Sequence, residues 1–293
     1  MWAPDNPAED SLERIIADVL VLGHSLQRHK CKADRVLLVT RDVLRGPASG
    51  MLHLFWQIKE VKHIQVSSYM LSRCSDRFRY VFTKLLVLEL EQYSKVLLLD
   101  SDLLVKSNID ELFEHQAPAA MFRGNSENVP GDVRPRFTYY HRDGETLKGG
   151  INGGVVLLTP SRVVLRQMRE ALLDKHHPCH KPSSAPEQDF LTRWFDTSWR
   201  PLLSKYNWQL HQLLYTRSQR ELDASRFTML YDDIRIIHYS SSPKPRDLMF
   251  NSCKQNIHNW VEDMISRHGE AQTPDVKRRI VKAVIDWQED LHL

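Results

Sequence analysis

The stretch QYSKVLLLDSDLLVKSNIDELFE, Gln92 to Glu114, decides the fold. Its apolar run Val96-Leu97-Leu98-Leu99 has the length and composition of a strand buried on both faces. It runs straight into Asp100-Ser101-Asp102. Such a strand belongs in an α/β domain, where helices cover both faces of a mostly parallel sheet and ligands bind beyond the carboxyl ends of the strands. Two carboxylates one residue apart at such an end are hard oxygen ligands that can share one divalent cation. An aspartate capping the next helix and a second one solvated in the turn would account for the same tripeptide without function.

Working outward, the spacing of Leu12, Ile15, Ile16, Val19, Leu20, Leu22 and Leu26 predicts a helix over residues 11–29. Strands are predicted at Arg35–Thr40 and Val61–Val66, and a long helix at Arg77–Tyr93 feeding the Asp-x-Asp strand. NIDELFE reads as a short helix capped by Ser107 or Asn108. Residues 123–150 are polar, contain Pro130 and Pro135 and read as a long loop, of the kind that forms lids or binding loops. A strand at Val155–Leu158 follows, then helices from Pro160 to about Lys175 and around Glu187–Phe195, and a strand at Ile234–Tyr239. Two helices close the chain, the second with Thr273 as N-cap and Pro274 at its first position.

The chain of 293 residues, 42% hydrophobic and 26% charged, suits one sizeable α/β domain or two small ones. A net charge of +3, from 40 basic against 37 acidic side chains without blocks of like charge, gives no case for nucleic acid. Four cysteines without a Cys-x-x-Cys pair fit a reducing compartment. The start, MWAPDNPAED, lacks the basic and apolar pattern of a signal peptide, and no window reaches the ~18 apolar residues of a membrane span. A soluble, cytoplasmic protein is expected, unless the true N-terminus lies upstream.

Further residues carry chemistry. His238 closes its strand as the aspartate pair does and is a candidate third metal ligand, although a packing histidine is the commoner use. Lys244, in the proline-stiffened SPKPR, is a candidate phosphate contact or a surface lysine. Asn152, set between Gly149-Gly150 and Gly153-Gly154, marks either a backbone that something approaches closely or a tight turn. Glu187-Gln188-Asp189 opens a helix whose dipole favours the acids but leaves Gln188 unexplained. In HHPCHK, His176 to Lys181, proline splits the ligands and no second cluster completes a metal set.

Six stretches in order, LVLGHSL (Leu20–Leu26), Phe82–Phe113, INGGVVLLTPS (Ile151–Ser161), EQDFLTRWF (Glu187–Phe195), YNWQLH (Tyr206–His211) and HYSSSPKP (His238–Pro245), resemble the glycogenin family, family 8 of the retaining glycosyltransferases. The resemblance covers roughly residues 18–250. It implies a Rossmann-like nucleotide-sugar glycosyltransferase (GT-A type) domain over residues 1–250, lacking its first strand, with a C-terminal helical extension over 251–293 packed on it. It also implies a uridine diphosphate sugar donor, a glycan or glycoprotein acceptor, and manganese, with magnesium possible, held by Asp100, Asp102 and His238. The donor-binding residues it implies are Lys84, Asp100, Ser101, Asp102, Asn152, Gly153, Gly154 and Lys244. Catalysis would fall to Gln188, placed near the reacting carbon, with Lys84 and Glu187 beside it, and either Arg77 or Arg79 adds a contact. No nucleic-acid partner or membrane span is implied, and a homodimer is left open.

Four departures stand out. Residues 1–10 hold nothing like the strand that grips uracil and ribose, so either the chain begins late or uridine binding is impaired. Glu187 stands where the family has aspartate, and Ser241 and Arg246 replace its glycine and tryptophan in HxxGxxKPW. The competing readings are a catalytically impaired binding protein of this fold and a metal-dependent phosphoryl- or nucleotidyl-transfer enzyme. Self-glycosylation would need an acceptor such as Tyr139 or Tyr140 in the long loop. Replacing Asp102 with Ala is expected to abolish turnover and leave the fold nearly intact.

Overall fold

The computed structural model describes residues 12–46, 49–123, 138–140, 146–214, 229–250, 256–268 and 274–291. Helix α1 (Leu12–Arg28) buries one broad apolar face through Ile16, Val19, Leu20, Leu22 and Leu26, with Asp18 buried among them. The reading of a missing first strand falls on residues 1–11, outside the described residues. Strand β1 (Val36–Thr40) pairs parallel with β2 (Gln57–Val61), and α2 (Arg41–Leu44) lies in the connection between them.

The strand expected at Val61–Val66 is displaced, and only Val61 belongs to it. Beyond that residue the Ile64 N–H donates to Thr83 Oγ1 at 3.3 Å and the His63 ring stacks on Tyr80 with centroids 3.9 Å apart. These contacts draw the backbone away from a ladder. The helix expected at Arg77–Tyr93 is instead two 3-10 segments, Asp76–Phe78 and Val81–Glu89. Phe82 to Leu88 are buried without a break, so no solvent face imposes the α-helical period and packing alone sets the local geometry.

Strands β3 (Val96–Leu99), β4 (Leu103–Val105), β5 (Ala119–Phe122), β6 (Thr138–Tyr140), β7 (Thr146–Lys148) and β8 (Ile151–Leu158) follow. Next come α3 (Arg162–Ala171), α4 (Pro186–Phe195), β9 (Arg200–Pro201), β10 (Trp208–Gln209), β11 (Ile236–His238), α5 (Asp247–Phe250), α6 (Ile257–His268) and α7 (Pro274–Leu291). Between β4 and β5, Asn108 Oδ1 accepts the Asp110 N–H at 2.9 Å and opens the 3-10 turn Asp110–Glu114. The expected long loop contains β6 and β7, paired antiparallel; Tyr139 and Tyr140 lie in β6. Thr273 lies outside the described residues.

The α/β architecture is as expected, but the sheet is mixed rather than mostly parallel. One sheet runs β3-β8-β5-β9, with β3 and β5 antiparallel to β8 and β9 parallel to β5. Another runs β10-β11-β4, with β11 parallel to β10 and antiparallel to β4. The chain therefore crosses from one sheet to the other over Asp100-Ser101-Asp102. The Asp100 N–H extends the first ladder onto Gly154 O at 2.9 Å, and Asp102 O receives the Tyr239 N–H from the second at 3.0 Å.

The last helices close this assembly. Trp260 of α6 and Trp287 of α7 are buried against Val21, Trp208 and Tyr239. Tyr239 Oη donates to Ala283 O at 2.5 Å, and Asp290 pairs with His24 at 2.9 Å and Arg28 at 3.1 Å on α1.

Candidate functional site

Where the two sheets meet, Asp100, Asp102 and His238 present ligand atoms within 4.8 Å of one another. Two carboxylates and an imidazole form a donor set suited to manganese or magnesium. The placement follows from the ladders: Asp102 immediately precedes Leu103, which stands opposite His238 across β4 and β11. His238 Nε2 lies 3.4 Å from Asp102 Oδ1.

A chain of amides fixes the histidine. The Gly154 N–H donates to Asn152 Oδ1 at 2.9 Å, which identifies that atom as oxygen. Asn207 Nδ2 donates to the same oxygen at 2.8 Å, so Asn207 Oδ1 faces His238 Nδ1, 2.7 Å away. Nδ1 then carries the proton and Nε2 offers its lone pair towards the aspartates. Gly154 is needed for this approach, since a Cβ there would lie 2.4 Å from His238 Cε1 and 2.6 Å from Nδ1. The close neighbour implied by the glycine-flanked Asn152 includes this imidazole.

Lys84 Nζ donates to Asp100 Oδ1 at 2.6 Å and lies 3.4 Å from Glu187 Oε2. Burial works against its charge, but the two carboxylates outweigh that and raise its pKa. Glu187, 4% exposed, is pushed up to about 7 by burial, against the pull of Lys84. Its Oε1 has no hydrogen-bond partner among the described residues. Gln188 Oε1 accepts the Gly153 N–H at 3.0 Å, so α4 is tied to β8 at the residue the sequence left unexplained. Asp189 pairs with Arg123.

Lys244 Nζ donates to Asp102 Oδ2 at 2.6 Å and to Tyr239 O. Burial would raise the Asp102 carboxyl, yet the Lys244 ammonium beside it holds it well below the usual carboxylate range. The Lys244 loop is fixed from outside: its N–H donates to Asp247 Oδ2 at 2.7 Å, and Trp260 Nε1 donates to its carbonyl at 2.9 Å. Arg246, where the family resemblance would place tryptophan, pairs with Asp18 of α1. Ser241 Oγ meets His268 Nε2 of α6 at 2.9 Å.

All the expected site residues, Lys84, Asp100, Ser101, Asp102, Asn152, Gly153, Gly154, Glu187, Gln188, His238 and Lys244, line one cleft of about 420 Å³. That volume fits a small-molecule ligand. Arg79 lies over the Tyr80 ring, 5.7 Å from its centroid; nothing is described of the Arg77 side chain. The His176–Lys181 cluster builds a turn: His180 bonds Ser67 Oγ at 2.8 Å and Ala171 O at 2.9 Å, and His177 Nδ1 accepts the Cys179 N–H at 3.2 Å. Asn207 and Asp18 went unassigned in the sequence. Asn207 was visible only as part of YNWQLH, and Asp18 only as a charge interrupting an apolar helix face.

Comparison with known proteins adds a family and a fold. The family model for glycosyl transferase family 8 matches residues 21–246. Protein R707 of Acanthamoeba polyphaga mimivirus is 30% identical over 230 residues, which cover 78% of this chain and 77% of that protein. Human glycogenin-2 is 26% identical over 86% of this chain, which spans only 45% of that relative's length. Among solved structures, the apo WbbM bifunctional glycosyltransferase superposes with a TM-score of 0.54 at 16% identity, over 90% of this chain and 50% of that one. The glycosyltransferase GlyE of Streptococcus pneumoniae gives 0.52 at 20% identity, over 88% and 62%. At these identities the two structures speak to the fold alone. Among the described residues, no helix is long and apolar enough to cross a membrane.

Proposed function

The chain belongs to glycosyl transferase family 8, and on that premise we propose that it moves a hexose from a uridine diphosphate sugar to a glycan or glycoprotein acceptor with retention. The observation that carries this reading is the convergence of Asp100, Asp102 and His238 in one cleft with Lys84, Lys244 and Gln188. Asp100, Asp102 and His238 would hold the divalent cation, manganese or magnesium. When bound, such an ion supplies neutralisation of the charge that builds on a diphosphate leaving group.

The chain's own groups supply the rest. Lys244 offers a compact ammonium for a phosphate oxygen, and the braced loop beneath it holds that charge in place before the donor arrives. Lys84, kept charged by Asp100 and Glu187, lines the same cleft. Glu187 Oε1, buried and unpaired among the described residues, is an acceptor for a sugar hydroxyl. Gln188 directs its amide at the cleft from the first turn of α4 and serves the reacting carbon. The acceptor attacks from the side of the leaving group, which preserves the anomeric configuration.

The test is release of uridine diphosphate from its glucose, galactose, N-acetylglucosamine and glucuronic acid conjugates, with manganese and then with chelator. Slow hydrolysis of one donor, lost with chelator, supports the reading and identifies the sugar. Binding of uridine diphosphate without turnover of any donor, across a panel of acceptors, would replace it with the binding-protein reading.

A further inference from the structure

Arg246 is a charged side chain only 6% exposed that lines the cleft two residues beyond Lys244. Its guanidinium donates to Asp18, a carboxylate 1% exposed in the otherwise apolar stretch Ile16–Leu22 of α1. As a brace for α1 this is a poor device. Desolvating two charges consumes most of their attraction, and a packed apolar pair would hold the helix as well. The charges continue beyond the pair, because Lys244, two residues before Arg246 and lining the same cleft, is itself paired with Asp102 at 2.6 Å. An arginine in such a place brings a planar fork of donors that matches phosphate oxygens, which a lysine does not.

We propose that Arg246, presented by Asp18, is a specificity-determining contact for the diphosphate of the nucleotide donor, a second cation beside Lys244 that makes the cleft prefer a diphosphate to a monophosphate. The assignment rests on the donor reading given above. It has a consequence of definite sign. Asp18 competes with the ligand for the guanidinium, so removing its charge strengthens ligand binding, whereas a purely structural brace loosens and weakens it.

The experiment titrates the whole chain by calorimetry with uridine diphosphate and with uridine monophosphate, in manganese buffer, for wild type, Arg246→Leu, Arg246→Lys and Asp18→Asn. Arg246→Leu is expected to lose about tenfold in diphosphate affinity, the scale of one charge-assisted hydrogen bond, with a much smaller loss for the monophosphate. Arg246→Lys falls between the two, and Asp18→Asn binds the diphosphate more tightly than wild type. A wild-type ratio of the two affinities in Arg246→Leu, or weaker diphosphate binding by Asp18→Asn, overturns the assignment. If Arg246→Leu does not fold, the ratio in Arg246→Lys and the sign for Asp18→Asn decide. Wild type that binds neither nucleotide overturns the donor reading and this assignment together. Wild type that binds both, with the ratio unmoved in every variant, overturns this assignment alone.

Discussion

Gly154→Ala tests the histidine arrangement with a single methyl group. The new Cβ would stand 2.4 Å from His238 Cε1 and 2.6 Å from Nδ1. Non-bonded carbons settle at about 3.5–4.0 Å, so the ring must withdraw by at least about 1 Å. The Nδ1 contact with Asn207 measures 2.7 Å, and that withdrawal takes it beyond hydrogen-bonding range. Crowding a packed interior costs about 1–3 kcal/mol, and loss of a metal ligand's outer support costs about 10–100-fold in metal affinity. The assay is a manganese titration followed by electron paramagnetic resonance, with a thermal melt of the same samples. Asn207→Ala should reproduce the affinity loss without the clash. Gly153→Ala is the control, because its Cβ meets the movable end of a side chain, Glu187 Oε2, at 2.9 Å; its manganese affinity should stay at the wild-type value. Wild-type manganese binding by Gly154→Ala would refute the reasoning.

Asp102→Ala removes the partner of a buried ammonium as well as a candidate metal ligand, and is expected to destabilise a fold that the sequence reading alone would leave nearly intact. It should lose about 3–5 kcal/mol in denaturant melts, whereas Asp102→Asn, with an oxygen still facing Lys244, should lose less. Glu187 sets a pH slope: its pKa rises from 4.5 to about 7 on folding, so its neutral form is favoured in the native state. That contribution is present below pH 4.5 and is lost as pH rises through about 7, amounting to at most about 3 kcal/mol. Urea melts at both ends of the range should show the slope in wild type and a flatter one in Glu187→Gln; equal slopes would contradict it. Trp287→Ala, at a side chain 1% exposed between α7 and α1, should cost about 3–5 kcal/mol by thermal melt.

The Asp100-Ser101-Asp102 stretch was legible because strand composition and a sharp change to charge coincide at one point. His238 was legible because it closes its strand, and Lys244 because it sits in the proline-stiffened SPKPR that follows. The secondary structure failed where burial is complete or where a side chain displaces a ladder. Phe82–Leu88 has no solvent-facing side to reveal a period, and Ile64 gives its N–H to Thr83 in place of a neighbouring strand. The mixed sheet was not legible either, since strands buried on both faces look alike whichever way their partners run. Asn207 and Asp18 were out of reach for another reason. Their roles exist only through partners between 31 and 228 residues away, separations that no local pattern encodes.

That last separation bears on how the protein is made. Asp18 leaves the ribosome 228 residues before Arg246, roughly 10 to 45 s earlier at typical synthesis rates. The His24–Asp290 pair extends the interval, because α7 covers the Ala17 and Val21 face of α1. Throughout that time the Ile16, Val19 and Leu22 side of α1 can pack on Val39, Phe55 and Leu103, which are made early, but Asp18 has no guanidinium to receive it. The Arg246 corner of the cleft thus closes on α1 only after every other residue lining it has been made.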